Sequence, residues 1–196
     1  FTNNTASSTY SNSFGGAIMI NFVSSVVSNT TEFAENNVFN NNKVYSYSSY
    51  GYGGSVYLYN SKGKFQNCTF SGNIATQYGA GVFLKDSDYS VLECTFQNNT
   101  VNGEKNEKGG AIFSSESTLY LNKSSFINNI LCPEKKYATV YYLEGAACHF
   151  DRSKVHVSDC DFVNNTIKVM KHYYNAYNIC GGAIYSEMSR DAFNCT

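Results

Sequence analysis

The sequence has few charged residues and no long apolar run, and both shortages exclude classes of protein. Charged residues make up 15% of the 196 positions, against roughly 25% in typical soluble domains. The net charge of −1 gives no electrostatic basis for binding nucleic acid or an anionic membrane surface. No apolar run approaches the roughly 20 residues that span a bilayer, so we expect no membrane insertion by this segment.

Three further patterns are missing. The 7 cysteines include no Cys-x-x-Cys pair and there are only 3 histidines, which argues against zinc, so we expect neither a metal nor a cofactor. No apolar pattern keeps a 3.6-residue period long enough for a helix of about three turns. No signal peptide opens the chain, which starts inside a repeat motif, so we expect a mature segment or a fragment.

A glycine-rich tetrad occurs six times and opens an apolar stretch each time. Phe-x-x-Asn usually follows seventeen residues later, and in the first unit it follows one residue late, at Phe33 and Asn36. Near-constant spacing inside a unit, with variable spacing between units, is typical of repeat architectures. The tetrads begin at Gly15, Gly53, Gly79, Gly109, Gly145 and Gly181. The other pairs are Phe70 with Asn73, Phe96 with Asn99, Phe126 with Asn129, and Phe162 with Asn165.

The spacing within each unit predicts the fold. Counted from the first glycine as position 0, apolar residues recur at positions 3, 5, 12 and 17, and this alternation favours short strands with one buried face. Glycine at 0, serine at 8 and asparagine at 20 mark corners, the asparagines as a ladder of stacked amides. Three strands and three corners per turn predict an all-β fold, a right-handed parallel β-helix of about six to seven coils. Residues 1–196 would form a single solenoid segment.

The pairing of Gly-Gly-Ala-Ile with Phe-x-x-Asn resembles the passenger repeats of the chlamydial polymorphic membrane proteins, through nearly the whole chain. The Asn-, Tyr- and Cys-rich composition is also similar to related surface β-helix proteins of protists. The resemblance implies a β-helical adhesin displayed on a surface by autotransport. We therefore expect an extracellular or cell-surface location.

The two ends of the chain fit each other. Joining residues 193–196 to residues 1–4 gives Phe-Asn-Cys-Thr-Phe-Thr-Asn-Asn, which continues the repeat with one residue deleted. Open strand edges and apolar stacking surfaces favour self-association unless they are capped. One hypothesis is therefore an extracellular structural protein that repeats, covalently or by head-to-tail stacking, into a filament or elongated stalk. The alternative is a segment of a longer β-helix whose ends match through ordinary periodicity.

Cysteines of neighbouring coils are candidates for disulfides. Three fall at position 15 and one is shifted by one residue, and the spacing of coils lies within the roughly 4.4–6.8 Å Cα separation of a disulfide. A buried column of thiols is the alternative, and we favour it because side chains in register point side by side. The column pairs are Cys68 with Cys94 and Cys160 with Cys195. A bridge at the rim between Cys132 and Cys180, in successive connectors, would leave Cys148 in an apolar column.

Seven Asn-x-Ser/Thr sequons fall at positions expected to point outward. In a eukaryotic source, N-linked glycans on them would line the edges of the rod and leave axial stacking free. In a bacterial source the sequons would be a by-product of an Asn-, Ser- and Thr-rich sequence. The candidate sites are Asn3, Asn29, Asn67, Asn98, Asn122, Asn164 and Asn194.

An enzyme is not expected, although β-helices include pectate lyases and polygalacturonases. Those chemistries require clustered carboxylates on one strand face. Here the aspartates are scattered: Asp159 and Asp161 flank Cys160 and should point outward, with no carboxylate beside Asp161 in the preceding coils. We expect His149 and His156 to be solvated surface residues on successive strands, not a metal pair.

Tyrosines are the remaining functional candidates, because they crowd two insertions. Exposed aromatic rings stack on sugars or form protein contacts. The alternative function is therefore a surface adhesin that binds host or glycan ligands through these loops. Packing of the same rings over the side of the rod is at least as well supported. The tyrosines are Tyr45, Tyr47, Tyr50 and Tyr52 in one insertion and Tyr173, Tyr174 and Tyr177 in the other.

Overall fold

The strands wind through six successive turns in a computed structural model that describes residues 1–21, 31–47, 49–103, 106–133, 139–169 and 175–194. The first two turns contain β1 (Thr5–Ser8), β2 (Ser13–Phe14), β3 (Ile18–Asn21), β4 (Thr31–Glu35), β5 (Val38–Asn40), β6 (Lys43–Ser46), β7 (Gly51–Tyr52), β8 (Val56–Tyr59), β9 (Lys62–Gln66) and β10 (Thr69–Ser71). The next two contain β11 (Ile74–Ala75), β12 (Val82–Lys85), β13 (Asp88–Leu92), β14 (Thr95–Gln97), β15 (Thr100–Val101), β16 (Glu107–Lys108), β17 (Ile112–Ser115), β18 (Thr118–Asn122) and β19 (Ser125–Ile127). The last two contain β20 (Ile130–Leu131), β21 (Thr139–Glu144), β22 (Cys148–Asp151), β23 (Lys154–Ser158), β24 (Asp161–Val163), β25 (Thr166–Ile167), β26 (Asn175–Cys180), β27 (Ile184–Glu187) and β28 (Arg190–Asn194). Within these ranges, no helix has the length and apolar character of a membrane-spanning segment.

Equivalent strands of successive turns pair in parallel, so the sheets run along the axis of the coil. Sheets 1 to 4 consist of β3-β8-β12-β17-β22-β27, β4-β9-β13-β18-β23-β28, β5-β10-β14-β19-β24 and β1-β6-β11-β15-β20-β25. Sheet 5 consists of β2-β7 and β16-β21-β26, and Tyr78 bridges its two parts by pairing with Tyr52 and Lys108. This arrangement is a parallel β-helix, as the repeat predicts.

Each turn is divided more finely than the three strands and three corners predicted. The backbone enters the left-handed region at positions 0, 7, 14 and 19 of the unit, which in the third turn are Gly79 (φ 59), Asp86 (φ 50), Glu93 (φ 54) and Asn98 (φ 55). Glycine and, to a lesser degree, Asn and Asp tolerate this conformation, whereas glutamate carries no such preference. The corner at Glu93 therefore leaves no signal in the sequence.

The predicted phenylalanine column fills the centre of the coil. The ring centroids of Phe70 and Phe96 lie 4.6 Å apart with planes 2° from parallel. Phe96 and Phe126 are 5.0 Å apart, and Phe126 and Phe162 are 4.7 Å apart. The first three rings are fully buried, and burial of a large aromatic side chain contributes about 1.5–3 kcal/mol.

The prediction for the first unit was wrong. Phe39, not Phe33, pairs with Phe70 and stacks on its ring at 4.6 Å. Asn42, not Asn36, enters the amide ladder by donating from Nδ2 to Asn73 Oδ1 over 3.1 Å. Both motifs have the form Phe-x-x-Asn, and in the first unit the stretch from the tetrad to the true phenylalanine is seven residues longer than the usual seventeen, which moves the true pair beyond the expected spacing.

The first residues of the chain form one more rung of both columns. Phe1 stacks on Phe39 with centroids 5.0 Å apart and planes 4° from parallel. Asn4 donates from Nδ2 to Asn42 Oδ1 over 2.8 Å, and its backbone N–H donates to the same oxygen over 3.1 Å. Each column therefore has six rungs in the described residues.

The corners are held by side chains that accept backbone hydrogen bonds from the turn before. Ser61 N–H donates to Ser87 Oγ over 3.1 Å, and Ser87 N–H donates to Ser117 Oγ over 3.0 Å. The buried asparagines make the same kind of bond at their own corner. Asn73 N–H donates to Asn99 Oδ1 over 3.1 Å, and the later turns repeat this bond. A buried N–H without a partner costs about 1–3 kcal/mol, so these ladders hold the turns in register.

Candidate binding groove on the outer face

A sharp corner at the first glycine of each tetrad folds sheet 5 towards the outer face of sheet 1. Gly79 and Gly109 have φ values of 59° and 63°, and a Cβ at either position would clash with the carbonyl oxygen three residues later. The residue before the glycine therefore approaches residues at position 4 of neighbouring turns. Tyr52 and Phe83, for example, have ring centroids 5.0 Å apart.

Two rows of side chains line this corner along the axis. The connector row, which precedes the tetrads, is Phe14, Tyr52, Tyr78, Lys108, Glu144 and Cys180, each in register with the next. The tetrad row, at position 4, is Met19, Tyr57, Phe83, Phe113, His149 and Tyr185. The connector row changes along the axis from aromatic to polar, and His149 of the tetrad row lies beside its charged residues, so the corner has an aromatic part and a polar part.

The aromatic part encloses a groove of ≈ 350 Å³. Tyr57, Phe83 and Phe113 stack with centroids 5.1 Å apart along the tetrad row. Tyr52 and Tyr78 stack at 5.4 Å along the connector row. We call this space the aromatic groove, and its lining is Asn12, Phe14, Tyr52, Tyr57, Tyr78, Phe83, Lys85, Lys108, Phe113, Ser115 and Asp151. Flat aromatic walls with a few polar groups among them are typical of ligand sites.

The tyrosines of the groove stay protonated at physiological pH. Burial raises the pKa of Tyr52 to about 12, with smaller contributions from Tyr50 and Tyr57. Burial likewise raises the pKa of Tyr78 and of Tyr57. Their hydroxyl groups are therefore neutral and both donate and accept hydrogen bonds.

The polar part contains a charged cluster around a buried histidine. Lys108 Nζ lies 2.8 Å from Glu144 Oε2, and the same oxygen lies 3.6 Å from His149 Nδ1. The His149 ring lies between Phe113, which stacks on it at 5.0 Å, and Tyr185, whose ring is 5.1 Å away and tilted by 33°. Burial, with a smaller effect from the Lys108 charge, lowers the pKa of His149 to about 2, so the imidazole is neutral.

The expectation that His149 is a solvated surface residue was wrong. Its side chain is 0% exposed. The alternation within β22 does place it on the outer face, but sheet 5 covers that face at this corner. His156 lies half-buried on β23 with its ring 5.0 Å from Tyr120. Asp159 and Asp161 are exposed, as predicted.

The cysteine column contains thiols that act as hydrogen-bonding groups. Cys94 Sγ accepts the backbone N–H of Cys68 at 3.4 Å, and the thiols of Cys68 and Cys94 donate to Gln66 O (3.2 Å) and Leu92 O (3.3 Å). The hydrogen bond between the two thiols lowers the pKa of Cys68 and raises that of Cys94. Cys160 continues the column, donating to Ser158 O at 3.2 Å, whereas Cys195 lies outside the described residues.

The rim cysteines lie on different parts of the turn. Cys132 follows β20 of sheet 4, whereas Cys180 ends β26 of sheet 5. Cys180 is a thiol here, and Cys148 is buried in the apolar column. The Cys132–Cys180 bridge stays a prediction for the oxidised protein.

The sequons divide by exposure. Asn3, Asn67, Asn98 and Asn164 are exposed. Asn122 is half-buried, with its Oδ1 atom inaccessible to solvent. Asn29 and the side chain of Asn194 lie outside the described residues.

The tyrosines of the first insertion have different environments. Tyr47 is 75% exposed and Tyr50 38% exposed, whereas Tyr45 is half-buried and Tyr52 lines the groove. Tyr173, Tyr174 and the side chain of Tyr177 lie outside the described residues.

Most of the groove was not anticipated from the sequence. One signal was available: position 4 should point to solvent, yet it holds Tyr57, Phe83 and Phe113 in consecutive units. Aromatic residues that recur at an outward position indicate a covered or ligand-binding face.

Residues 54–192 match the family model described as right handed beta helix region. The match spans most of the chain and agrees with the parallel sheets, so the chain belongs to this family and is a right-handed parallel β-helix. No curated protein and no solved structure matches it.

Proposed function

We propose that the chain is an extracellular structural protein, the unit of a β-helical filament or elongated surface stalk. The observation that carries the proposal is the continuity of the phenylalanine and asparagine columns through six rungs, from Phe1 to Phe162 and from Asn4 to Asn165. Such a coil resists bending because every turn is bonded to the next through sheets and ladders alike.

The same columns supply a means of axial assembly. Phe1 is 53% exposed while stacked on Phe39, and Phe162 is the last ring of the column within the described residues. A further rung stacked on either ring would continue the column, whether it came from the same polypeptide or from a second copy. A head-to-tail contact that does not close on itself produces an open fibre.

Three observations support a location outside the cell. Four sequons are exposed on the side of the rod, where N-linked glycans would not interrupt axial stacking. The chain has few charges and many Asn, Ser and Tyr residues. Its repeats resemble the passenger region of the chlamydial polymorphic membrane proteins. Intact-mass measurement on the native material tests the glycans, and a mass equal to that of the bare polypeptide would contradict them.

Small-angle scattering at increasing concentration tests the assembly. We expect particles that lengthen while their cross-section stays constant. Phe162→Asp would place a charge on the stacking face and stop growth, whereas Val163→Asp, at the exposed neighbouring position of β24, would not. A chain that stays monomeric at every concentration would contradict stacking between copies.

Glycan binding by the aromatic groove is a second candidate function, and the stacked rings of Tyr52, Tyr78 and Phe83 favour it. Sugar rings present apolar faces that stack on aromatic side chains, while their hydroxyls bond polar neighbours. On a glycan array, Tyr78→Ser should abolish binding and Tyr78→Phe should retain most of it. Tyr47→Ser, outside the groove, is the matched control. Equal binding by all three variants would contradict the proposal.

This binding would be non-enzymatic. Asp151, the carboxylate of the groove lining, is engaged with Arg152 at 3.1 Å, and Glu144 is engaged with Lys108 of the lining at 2.8 Å. A bound oligosaccharide should therefore keep its length and mass after prolonged incubation. Shortened products seen by mass spectrometry would overturn this point.

A further inference from the structure

Three potential metal ligands meet at the polar part of the corner. Glu144 ends β21, His149 lies on β22 and Glu187 ends β27 one turn later. One donor atom from each lies within 4.8 Å of the other two. Two sheets and two turns therefore bring one nitrogen and two carboxylate groups together.

The histidine supplies an independent indication of a ligand. Its side chain is fully buried, and neither Nδ1 nor Nε2 makes a hydrogen bond of normal geometry, although the backbone of Glu144 lies near enough to favour the protonated ring. Buried polar groups in folded proteins nearly always have partners. The distance of 3.6 Å from Nδ1 to Glu144 Oε2 is too long for a hydrogen bond. The ring is held in place by its two aromatic neighbours, Phe113 and Tyr185.

We propose that Glu144, His149 and Glu187 bind a divalent transition-metal ion, with Zn²⁺ the best fit. Zn²⁺ takes imidazole and carboxylate ligands at about 2.0–2.2 Å in a tetrahedral arrangement, which puts neighbouring donor atoms roughly 3.3–3.5 Å apart. The Nδ1–Oε2 separation is already close to that edge. Calcium and magnesium prefer all-oxygen sites, so the imidazole disfavours them.

The fourth ligand would come from solvent or from a bound molecule. Glu187 is half-buried, so the site opens at its side. Phe113, which stacks on His149, also lines the aromatic groove. The metal would then join sheet 5 to sheet 1 across the Gly145 corner and leave one position facing outward.

The ammonium group of Lys108 supplies the positive charge beside Glu144 when no metal ion is bound. Its Nζ lies 2.8 Å from Glu144 Oε2, so a metal ion must displace the ammonium group or share the carboxylate with it. Lys108→Met should therefore tighten metal binding by about tenfold, because it removes the competing cation. Non-specific binding at the surface would not respond in this way.

Titration of the metal-free full chain with Zn²⁺ by calorimetry, and with Co²⁺ by visible absorption, tests the site. We expect one ion per chain and a visible absorption spectrum typical of Co²⁺ with a low coordination number. His149→Phe, which keeps the ring stack, and Glu187→Gln should each weaken binding by more than the about 10–100-fold that loss of an outer-shell partner costs. Circular dichroism and thermal melting verify that each variant folds.

Matched controls lie on β23 and in the turn between β17 and β18. His156→Phe removes the histidine of β23, and Glu116→Gln removes an exposed carboxylate one turn away; neither should change affinity by more than about twofold. No binding by the wild-type chain, or unchanged affinity in both Glu187→Gln and His149→Phe, would overturn the proposal. If His149→Phe fails to fold, the affinity of Glu187→Gln alone tests the proposal. Residue 187 is only half-buried, so its substitution should leave the fold intact.

Discussion

Asn99 and Asn129 are joined by two hydrogen bonds although thirty residues separate them. Asn99 Nδ2 and the backbone N–H of Asn99 both donate to Asn129 Oδ1, over 2.9 Å and 3.1 Å. Asn99 Nδ2 also donates to Phe70 O at 3.0 Å. The buried amide thus satisfies its own donors and ties three consecutive turns together.

Replacing Asn99 with leucine should destabilise the fold by about 2 kcal/mol or more. The change leaves the buried Asn73 N–H without its acceptor and takes one donor from Phe70 O. Asn73 Nδ2 loses one of its two hydrogen bonds and keeps the one to Phe39 O at 3.0 Å. A buried group left without a partner costs about 1–3 kcal/mol. Urea denaturation measures the loss. Gln97→Leu, two residues earlier on the outer side, is the control and should change stability by less than about 1 kcal/mol. Equal effects of the two variants would contradict the role of the ladder.

Gly109→Ala should destabilise the fold. Gly109 has φ 63, and a Cβ there has no room beside Ile112 O. We expect a cost of more than about 1 kcal/mol, because alanine is strained at positive φ. Thermal melts of the variant and the wild type check this. Similar melting temperatures would show that the corner does not require glycine.

Stability should fall at alkaline pH through Tyr52. Its pKa in the folded chain, about 12, lies above the ordinary value of 10, so the unfolded state releases the phenolic proton first. The contribution is therefore complete below pH 10 and is lost as the pH rises towards 12. The free energy of unfolding, measured by denaturation at each pH in this range, should fall less steeply with pH for Tyr52→Phe than for the wild type. Tyr47→Phe should leave the wild-type curve unchanged, and an identical slope in Tyr52→Phe would count against burial of the hydroxyl.

Serine should replace Cys94 with little loss, whereas alanine should not. The next residue of that column is Ser124, whose Oγ accepts the backbone N–H of Cys94 at 3.1 Å. The hydroxyl of a serine at position 94 would accept the N–H of Cys68 in the same way. We therefore expect Cys94→Ser to lower the free energy of unfolding by less than about 1 kcal/mol, against about 1–3 kcal/mol for Cys94→Ala. Urea denaturation under reducing conditions separates the two. A larger loss for serine than for alanine would show that the thiol acts only as an apolar group.

The parts of the fold that follow a fixed spacing were predictable from the sequence. Phe96 and Asn99 recur at constant distances from their glycine, so their columns could be assigned. Phe39 could not be assigned in this way, because a competing Phe-x-x-Asn at Phe33 lies nearer the expected spacing. The corner at Glu93 uses a residue with no preference for positive φ.

The candidate site was mostly unpredictable because its residue types are not repeated. The connector row has a constant position, directly before each tetrad and five residues before the tetrad row, but its residue type changes along the chain, as at Lys108 and Glu144. Whether His149 faces solvent depends on sheet 5 covering it, which the alternation within β22 does not reveal. Tyr52 was singled out only as a member of a tyrosine-rich insertion.

Side-chain amide contacts between asparagines test the central claim, that like residues of successive turns stack in register, most directly. In a nuclear Overhauser spectrum of the chain labelled at asparagine, we predict cross-peaks between the amides of Asn73 and Asn99 and between those of Asn99 and Asn129. None should connect Asn73 with Asn129. Amides that show no mutual cross-peaks and exchange rapidly with water would contradict the stacked solenoid.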